Sequence, residues 1–242
     1  MNSGNAVDFA WTKTRGAEDY ISTLYLNGQR KQFGLLEKPS LPPQKIVNFV
    51  KYKIFLCGKY GTGKSSTISN LLGNYSNVPA HTPGIQTGLI HWPVRLVSTG
   101  QILFFSLTFW DAGDTACKKF EHILPACIED VDCIMFTFAF NDRQSYNDIS
   151  QTYANLSSFN MKKEPLRVVL GTKSDQYIHS DISDEELESV REQLQAKVLR
   201  IRNVHSSTDA SFESNSQFLN SLCNLLWLRD EELAASAPSE SN

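Results

Sequence analysis

Eight consecutive residues, Gly58-Lys59-Tyr60-Gly61-Thr62-Gly63-Lys64-Ser65, have the types and the spacing to grip a polyphosphate. Their pattern is G-x-x-x-x-G-K-S, a phosphate loop. Glycine lets the backbone wrap close to an anion, so that successive N–H groups point inward as a nest. The lysine then reaches the β- and γ-phosphates, and the serine hydroxyl ligates Mg²⁺. Gly58, Tyr60, Gly61, Thr62, Gly63, Lys64, Ser65 and Ser66 are therefore the expected nucleotide contacts here, with Ser65 also a metal ligand. The bland alternative is a glycine-rich turn. The setting argues against it: residues 52–57 read as a buried strand, and 65–72 read as a helix whose positive end faces the phosphates.

The elements that must hold such a loop recur along the chain. Residues 87–96 partly alternate and read as a strand, with Pro93 suggesting an edge or a bulge. A turn at 98–101 returns the chain through a second strand at 102–110, which makes a hairpin. Further strands are expected at 133–140, 166–170 and 198–204. Helices are expected at 145–159, at 183–195 behind a Ser183/Glu186 capping box, and at 213–228. Strands alternating with helices predict an α/β fold with a six-stranded, mostly parallel sheet covered on both faces. Residues 1–47 are expected to be an N-terminal extension and linker, with a short helix at 17–26. The main domain then spans 48–230, and 231–242 is a disordered polar tail. The extension either packs on its own domain or docks a partner.

Composition narrows the class. The 242 residues carry a net charge of −3, which gives no basic excess for nucleic acid. Cys57, Cys117, Cys127, Cys133 and Cys223 contain no C-x-x-C pair, so reduced thiols in an intracellular, cytoplasmic protein are expected. No stretch has the length of a membrane span, and neither a signal peptide nor a lipidation site is expected at the ends. Membrane contact is thus expected only through partners.

A second motif chooses the base. Thr172-Lys173-Ser174-Asp175 follows the expected strand 166–170. Asp175 offers two acceptors for the N1–H and 2-amino donors of guanine, and adenine lacks that donor pair. With its phosphate loop upstream, the chain resembles the small GTPases, which carry [NT]-K-x-D at this place. The resemblance implies a G domain binding GTP or GDP with Mg²⁺, with Thr172, Lys173 and Asp175 at the base. Lys173 would lie along the base and brace the phosphate loop. Thr82-Pro83-Gly84-Ile85-Gln86-Thr87 resembles a Rab-type first switch, which makes Thr82 an Mg²⁺ ligand and Thr87 the fallback. Trp110-Asp111-Ala112-Gly113-Asp114 resembles the start of the second switch. There Asp111 holds Mg²⁺ through water, and the Gly113 N–H meets the γ-phosphate. Tyr75 is expected to cover the guanine. The S-A-K loop of the family is not recognisable, and residues 202–205 stand in its place.

Three departures bear on catalysis. The second switch reads D-x-G rather than D-x-x-G. Asp114, the one catalytic candidate, stands where the family has the Gln that orients water. Tyr60 replaces a small residue in the phosphate loop. A carboxylate adds like-charge repulsion beside the γ-phosphate, and a bulky ring crowds the transition state or an arginine finger. Slow hydrolysis is expected. The alternative is that Asp114 positions water adequately and Tyr60 swings outward.

Particular stretches narrow the resemblance: Phe33-Gly34-Leu35-Leu36-Glu37, the first switch followed by His91-Trp92-Pro93, Lys118-Lys119-Phe120 with His122, and Lys173-Ser174-Asp175-Gln176-Tyr177 with His179. They look like the Rab- and Rem-like small GTPases of the CPLANE (ciliogenesis and planar polarity effector) complex. That resemblance implies a GTP-dependent role in ciliogenesis at the basal body of the cilium, with the Fuzzy, Inturned and Fritz proteins as partners. It also implies a link to targeted vesicle transport, exocytosis and planar cell polarity. The protein is then either a cycling switch or a constitutively GTP-loaded binding subunit. An ATP-dependent kinase or ATPase is disfavoured by Asp175.

Overall fold

Each apolar run expected to be a strand becomes one, and together they form one sheet. The computed structural model describes residues 4–26, 29–30, 38–74, 82–203 and 209–236. In chain order the elements are α1 (Arg15–Ile21), a short antiparallel pair β1 (Tyr25–Leu26) and β2 (Gln29–Arg30), β3 (Asn48–Cys57) and α2 (Lys64–Leu72). The hairpin β4 (Ile85–Arg95) and β5 (Ile102–Ala112) follows, then α3 (Asp114–Lys119), α4 (Ile123–Ile128) and β6 (Cys133–Ala139). The remainder is α5 (Arg143–Ser157), β7 (Leu166–Thr172), α6 (Asp184–Leu194), β8 (Lys197–Arg200) and α7 (Asp209–Ser236).

The six-stranded sheet runs β4-β5-β3-β6-β7-β8. Only the β4–β5 pair is antiparallel, and the other neighbours are parallel. β4 lies at the edge, where Pro93 costs no ladder bond on its outer side. The parallel strands send their carboxyl ends to one side of the sheet, the side on which such folds bind ligands. The phosphate loop after β3, Asp111 on β5, the Thr172–Asp175 motif after β7 and the Ile201–Asn203 stretch after β8 all emerge there.

Two apolar clusters cover the two faces. One, under α2 and α7, includes Leu56, Phe104, Phe105, Trp92 and Leu222. The other, under α4, α5 and α6, includes Phe55, Phe136, Phe138, Ile149 and Leu187. The first also takes in Val7, Trp11, Ala17, Tyr20 and Leu24, so the described part of the extension packs on its own domain. Backbone bonds stitch it down: Val97 N–H donates to Ala6 O at 2.8 Å, and Asp8 N–H to Arg95 O at 2.9 Å. The Asn224 side-chain oxygen of α7 accepts from the N–H groups of both Ala6 and Val7. The stretch Phe33–Glu37 lies outside the described residues, as do Tyr75 and 204–208.

Some boundaries differ from the sequence expectation. The last strand stops at Arg200 rather than 204, because only its first residues find a partner on β7. The expected helix 17–26 starts earlier and stops at Ile21. α7 continues to Ser236, so residues 231–236, expected as disordered tail, are helical. Glu231 holds this extra turn by accepting from Trp227 Nε1 at 2.9 Å, four residues back. The Ser183/Glu186 capping box forms as expected, with both reciprocal bonds present.

Candidate functional site

The phosphate loop is built around close backbone approach. Gly58 has φ +140°, and a Cβ there would stand 2.2 Å from Thr137 O on β6. Only glycine fits. Thr62 is fully buried and folds the loop on itself, its hydroxyl donating to Lys59 O at 2.9 Å. Lys64 opens α2 and lies buried beneath the loop, with Nζ donating to Gly58 O at 2.7 Å and Lys59 O at 3.0 Å. An ammonium has three donors, so one remains for an anion. Burial pushes the Lys64 pKa below the usual lysine range, against the pull of the Asp111 charge. An anion beside it would reverse that penalty. The first-turn N–H groups of α2, at Lys64, Ser65 and Ser66, have no partner within the helix and carry its positive end.

Three oxygen-bearing side chains from three segments meet beside the loop. The Ser65 hydroxyl donates to Asp111 Oδ2, and the Thr82 hydroxyl reaches the same oxygen at 3.1 Å. Ser65 and Thr82 are themselves 3.0 Å apart. Asp111 is 1% exposed, and its other oxygen, Oδ1, is buried with no hydrogen-bond partner. A buried carboxyl oxygen without a partner is costly. The Ser65 and Thr82 hydroxyls gathered on this carboxyl group are hard oxygens that fit a hard divalent cation such as Mg²⁺, directly or through water. Of the two first-switch candidates Thr82 stands beside Ser65 and Asp111, whereas Thr87 lies well along β4, exposed and opposite Trp110.

The second switch departs from expectation. The Gly113 N–H, expected to meet the γ-phosphate, donates to Gly84 O at 3.0 Å. A Cβ on Gly113 would stand 2.1 Å from Thr82 O, so here the glycine serves the close approach of the two switches. Ile85 pairs with Ala112, and the bond from Gly113 N–H to Gly84 O continues the β4–β5 ladder by one step. Asp114 begins α3 and accepts from Lys118 Nζ at 2.9 Å, so its carboxylate is engaged by its own helix. Tyr60 is 58% exposed.

On the base side, Thr172 is fully buried, and its hydroxyl reaches Thr62 O at 2.5 Å and Phe138 O at 3.0 Å. The motif is thus tied to the phosphate loop by Thr172. Lys173, expected to brace that loop, bonds Asn141 Oδ1 at 3.1 Å instead. Its backbone takes φ +52°, a left-handed conformation uncommon outside glycine, at the start of the short helix Ser174–His179, in which Asp175 stands exposed. Sequence reasoning missed Asn141 and Asn203. Asn203 Nδ2 donates to Thr67 Oγ1 of α2 at 3.0 Å, a contact across 136 positions that no local pattern announces.

A cavity of about 400 Å³ opens beside the loop, lined by Gly58, Lys59, Asp114, Cys117 and, on its apolar floor, Phe55 and Leu156. Lys64, Ser65, Thr82 and Asp111 are not among its lining residues. All five cysteines are free, and Cys57, Cys127, Cys133 and Cys223 are buried. Burial pushes the Cys57 and Cys127 thiols up to about 12, which leaves them protonated and inert.

Comparison with known proteins agrees with this geometry. Residues 53–220 match the Ras family. The chain is 37% identical over 244 residues to the ciliogenesis and planar polarity effector 2 of Xenopus laevis, covering 97% of each chain. Against the protein of the same name from Homo sapiens it is 33% identical over 248 residues, covering 98% of this chain and 95% of that one. GTP-binding protein REM 2 of Homo sapiens is 23% identical over 168 residues, 69% of this chain and 46% of that protein.

Proposed function

This chain belongs to the Ras family, and we propose that it is a GTP- and Mg²⁺-binding small GTPase of ciliogenesis and planar polarity whose own hydrolysis is slow. The observation that carries the reading is the meeting of Ser65 and Thr82 on one oxygen of the buried Asp111 carboxyl, whose other oxygen has no hydrogen-bond partner. Mg²⁺ at that place would neutralise charge on the β- and γ-phosphates. Lys64 and the loop N–H groups hold the phosphates, and Asp175 selects guanine. Thr172 keeps the two sets in register through Thr62 O.

Slow hydrolysis follows from what Asp114 is and what it touches. A carboxylate has no amide donor for the attacking water, and this one is already paired with Lys118. The relatives named ciliogenesis and planar polarity effector 2 support placing the protein in a ciliary assembly. Within that reading its partners are Fuzzy, Inturned and Fritz, and its site of action is the basal body, in targeted vesicle transport. Among the described residues no helix is long and apolar enough to cross a membrane, and membrane contact is proposed to come through the partners.

Single-turnover hydrolysis of Mg²⁺–GTP tests the catalytic part. Asp114→Gln with Tyr60→Gly is expected to raise the rate. A wild-type rate equal to that of an ordinary small GTPase, or no response to the double substitution, contradicts slow hydrolysis. A second reading, the constitutively GTP-loaded subunit, is favoured by one contact. The Gly113 N–H is spent on Gly84 O, so this donor is not set to sense the γ-phosphate.

A further inference from the structure

The stretch that stands in place of the family's base-contacting loop makes side-chain bonds of its own. Asn203 donates through Nδ2 to Thr67 Oγ1 at 3.0 Å, and its Oδ1 accepts from Asn70 Nδ2 at 3.4 Å. Both partners lie on α2, the helix that begins with Lys64 and Ser65. Thr67 is fully buried, and Asn70 nearly so. Asn70 is itself fixed to α7, donating to Asn215 Oδ1 at 3.0 Å while its backbone oxygen accepts from Asn215 Nδ2 at 3.3 Å. At the other end of the stretch, Ser174 N–H donates to Ile201 O at 3.4 Å, which joins it to the motif carrying Asp175. Asn203 also stands against the loop: a Cβ on Gly63 would lie 3.3 Å from Thr172 Oγ1 and 3.5 Å from Asn203 Nδ2.

We propose that Asn203 is a positioning residue of the nucleotide site, spanning from the base motif to the phosphate-loop helix and setting the distance between the phosphate-gripping and base-reading halves. This rests on the guanine-nucleotide reading above. A nucleoside diphosphate is held at both ends, so it leaves when one half moves away from the other. The Asn203–Thr67 bond opposes that separation. The Thr67 hydroxyl is fully buried, so removing Asn203 takes away the partner of a buried polar group.

The test is release of a fluorescent GDP from the full chain in saturating Mg²⁺. Asn203→Ala is expected to release it about tenfold faster, as the loss of one or two buried neutral hydrogen bonds implies. Thr67→Val, which keeps the shape and removes the hydroxyl, should do much the same. The double variant should be no faster than the faster single one, since both remove the same bond. A general loosening of the fold is separated by a second readout, the ratio of affinities for GDP and IDP, which lacks the 2-amino group. Asn203→Ala should lower that ratio about threefold or more as the base half loses its register, whereas Leu226→Ala, a core change in α7, should lower the melting temperature and leave the ratio alone. Wild-type release with an unchanged GDP/IDP ratio in Asn203→Ala overturns the positioning role while guanine-nucleotide binding stands. A wild-type chain that does not retain GDP at all overturns the binding reading itself.

Discussion

The two halves of the candidate site are made in different ways. The phosphate half is nearly continuous in sequence: loop, lysine and serine follow one another, and only Thr82 and Asp111 come from elsewhere. Its geometry is set by backbone, through Gly58 against Thr137 O and Lys64 beneath its own loop. The base half is gathered from the ends of two strands, and side chains hold it. Thr172 reaches Thr62 O, Lys173 reaches Asn141, and Asn203 reaches Thr67. A half fixed by backbone tolerates change at its neighbours. A half fixed by side chains is set by each of them, which is where one lineage of a shared fold can tune how long it keeps its ligand.

If the division is right, its largest signature is in base choice. Asp175→Asn should invert the preference between guanine and xanthine triphosphates, by about 10³-fold or more in the ratio, because a polar site left unpaired rejects the wrong base strongly. Competition binding measures it, and an unchanged ratio with ATP binding retained would move the base reader away from Asp175. Lys64→Ala strikes the other half. It should weaken GTP and GDP about 10–100-fold by calorimetry while the guanine-to-xanthine ratio stays put, since the bonds lost, to phosphate and to Gly58 O and Lys59 O, all belong to this half. Thr172→Val sits on the join. Removing its hydroxyl bond to Thr62 O should lower stability by about 1–2 kcal/mol in urea unfolding and loosen both halves together; an effect on one half alone would break the comparison.

The smallest effect concerns the scaffold behind the base half. Arg143 and the Ser183 N–H hold the Glu186 carboxyl at about 2, below its ordinary 4.5. A depressed carboxyl stabilises the fold above pH 4.5, and that contribution fades as pH falls toward 2. Arg143 opens α5 two residues after Asn141, the partner of Lys173. Glu186→Gln should therefore flatten the acid limb of the melting-temperature profile between those values, lowering the melting temperature at neutral pH and leaving it little changed near pH 2. A parallel profile would remove Glu186 from the account.

The same division explains what was legible in the sequence. The phosphate loop was readable because its chemistry needs fixed spacing over eight residues. The hairpin and the six strands were readable because apolar runs between turn signals leave few other places to go. Asn203 was not, since its meaning lies in Thr67 and Asn70 on a distant helix. Resemblance places Lys173 along the loop, and the contact it makes is to Asn141, 32 positions away. The Gly113 N–H meets Gly84 O, a partner 29 positions away that the motif does not show. The extension was undecided because Val7, Trp11 and Tyr20 are too widely spaced for a periodic pattern, and only the folded sheet supplies the surface that buries them.

The central claim is that this chain holds a guanine nucleotide through Lys64, Ser65 and Asp175. Protein purified in Mg²⁺ and then denatured should release close to one equivalent of GTP or GDP, separable by ion-exchange chromatography. Ser65→Ala prepared alongside should carry much less. Wild-type protein that is folded and yet releases neither nucleotide, or releases ATP or ADP instead, would contradict the account.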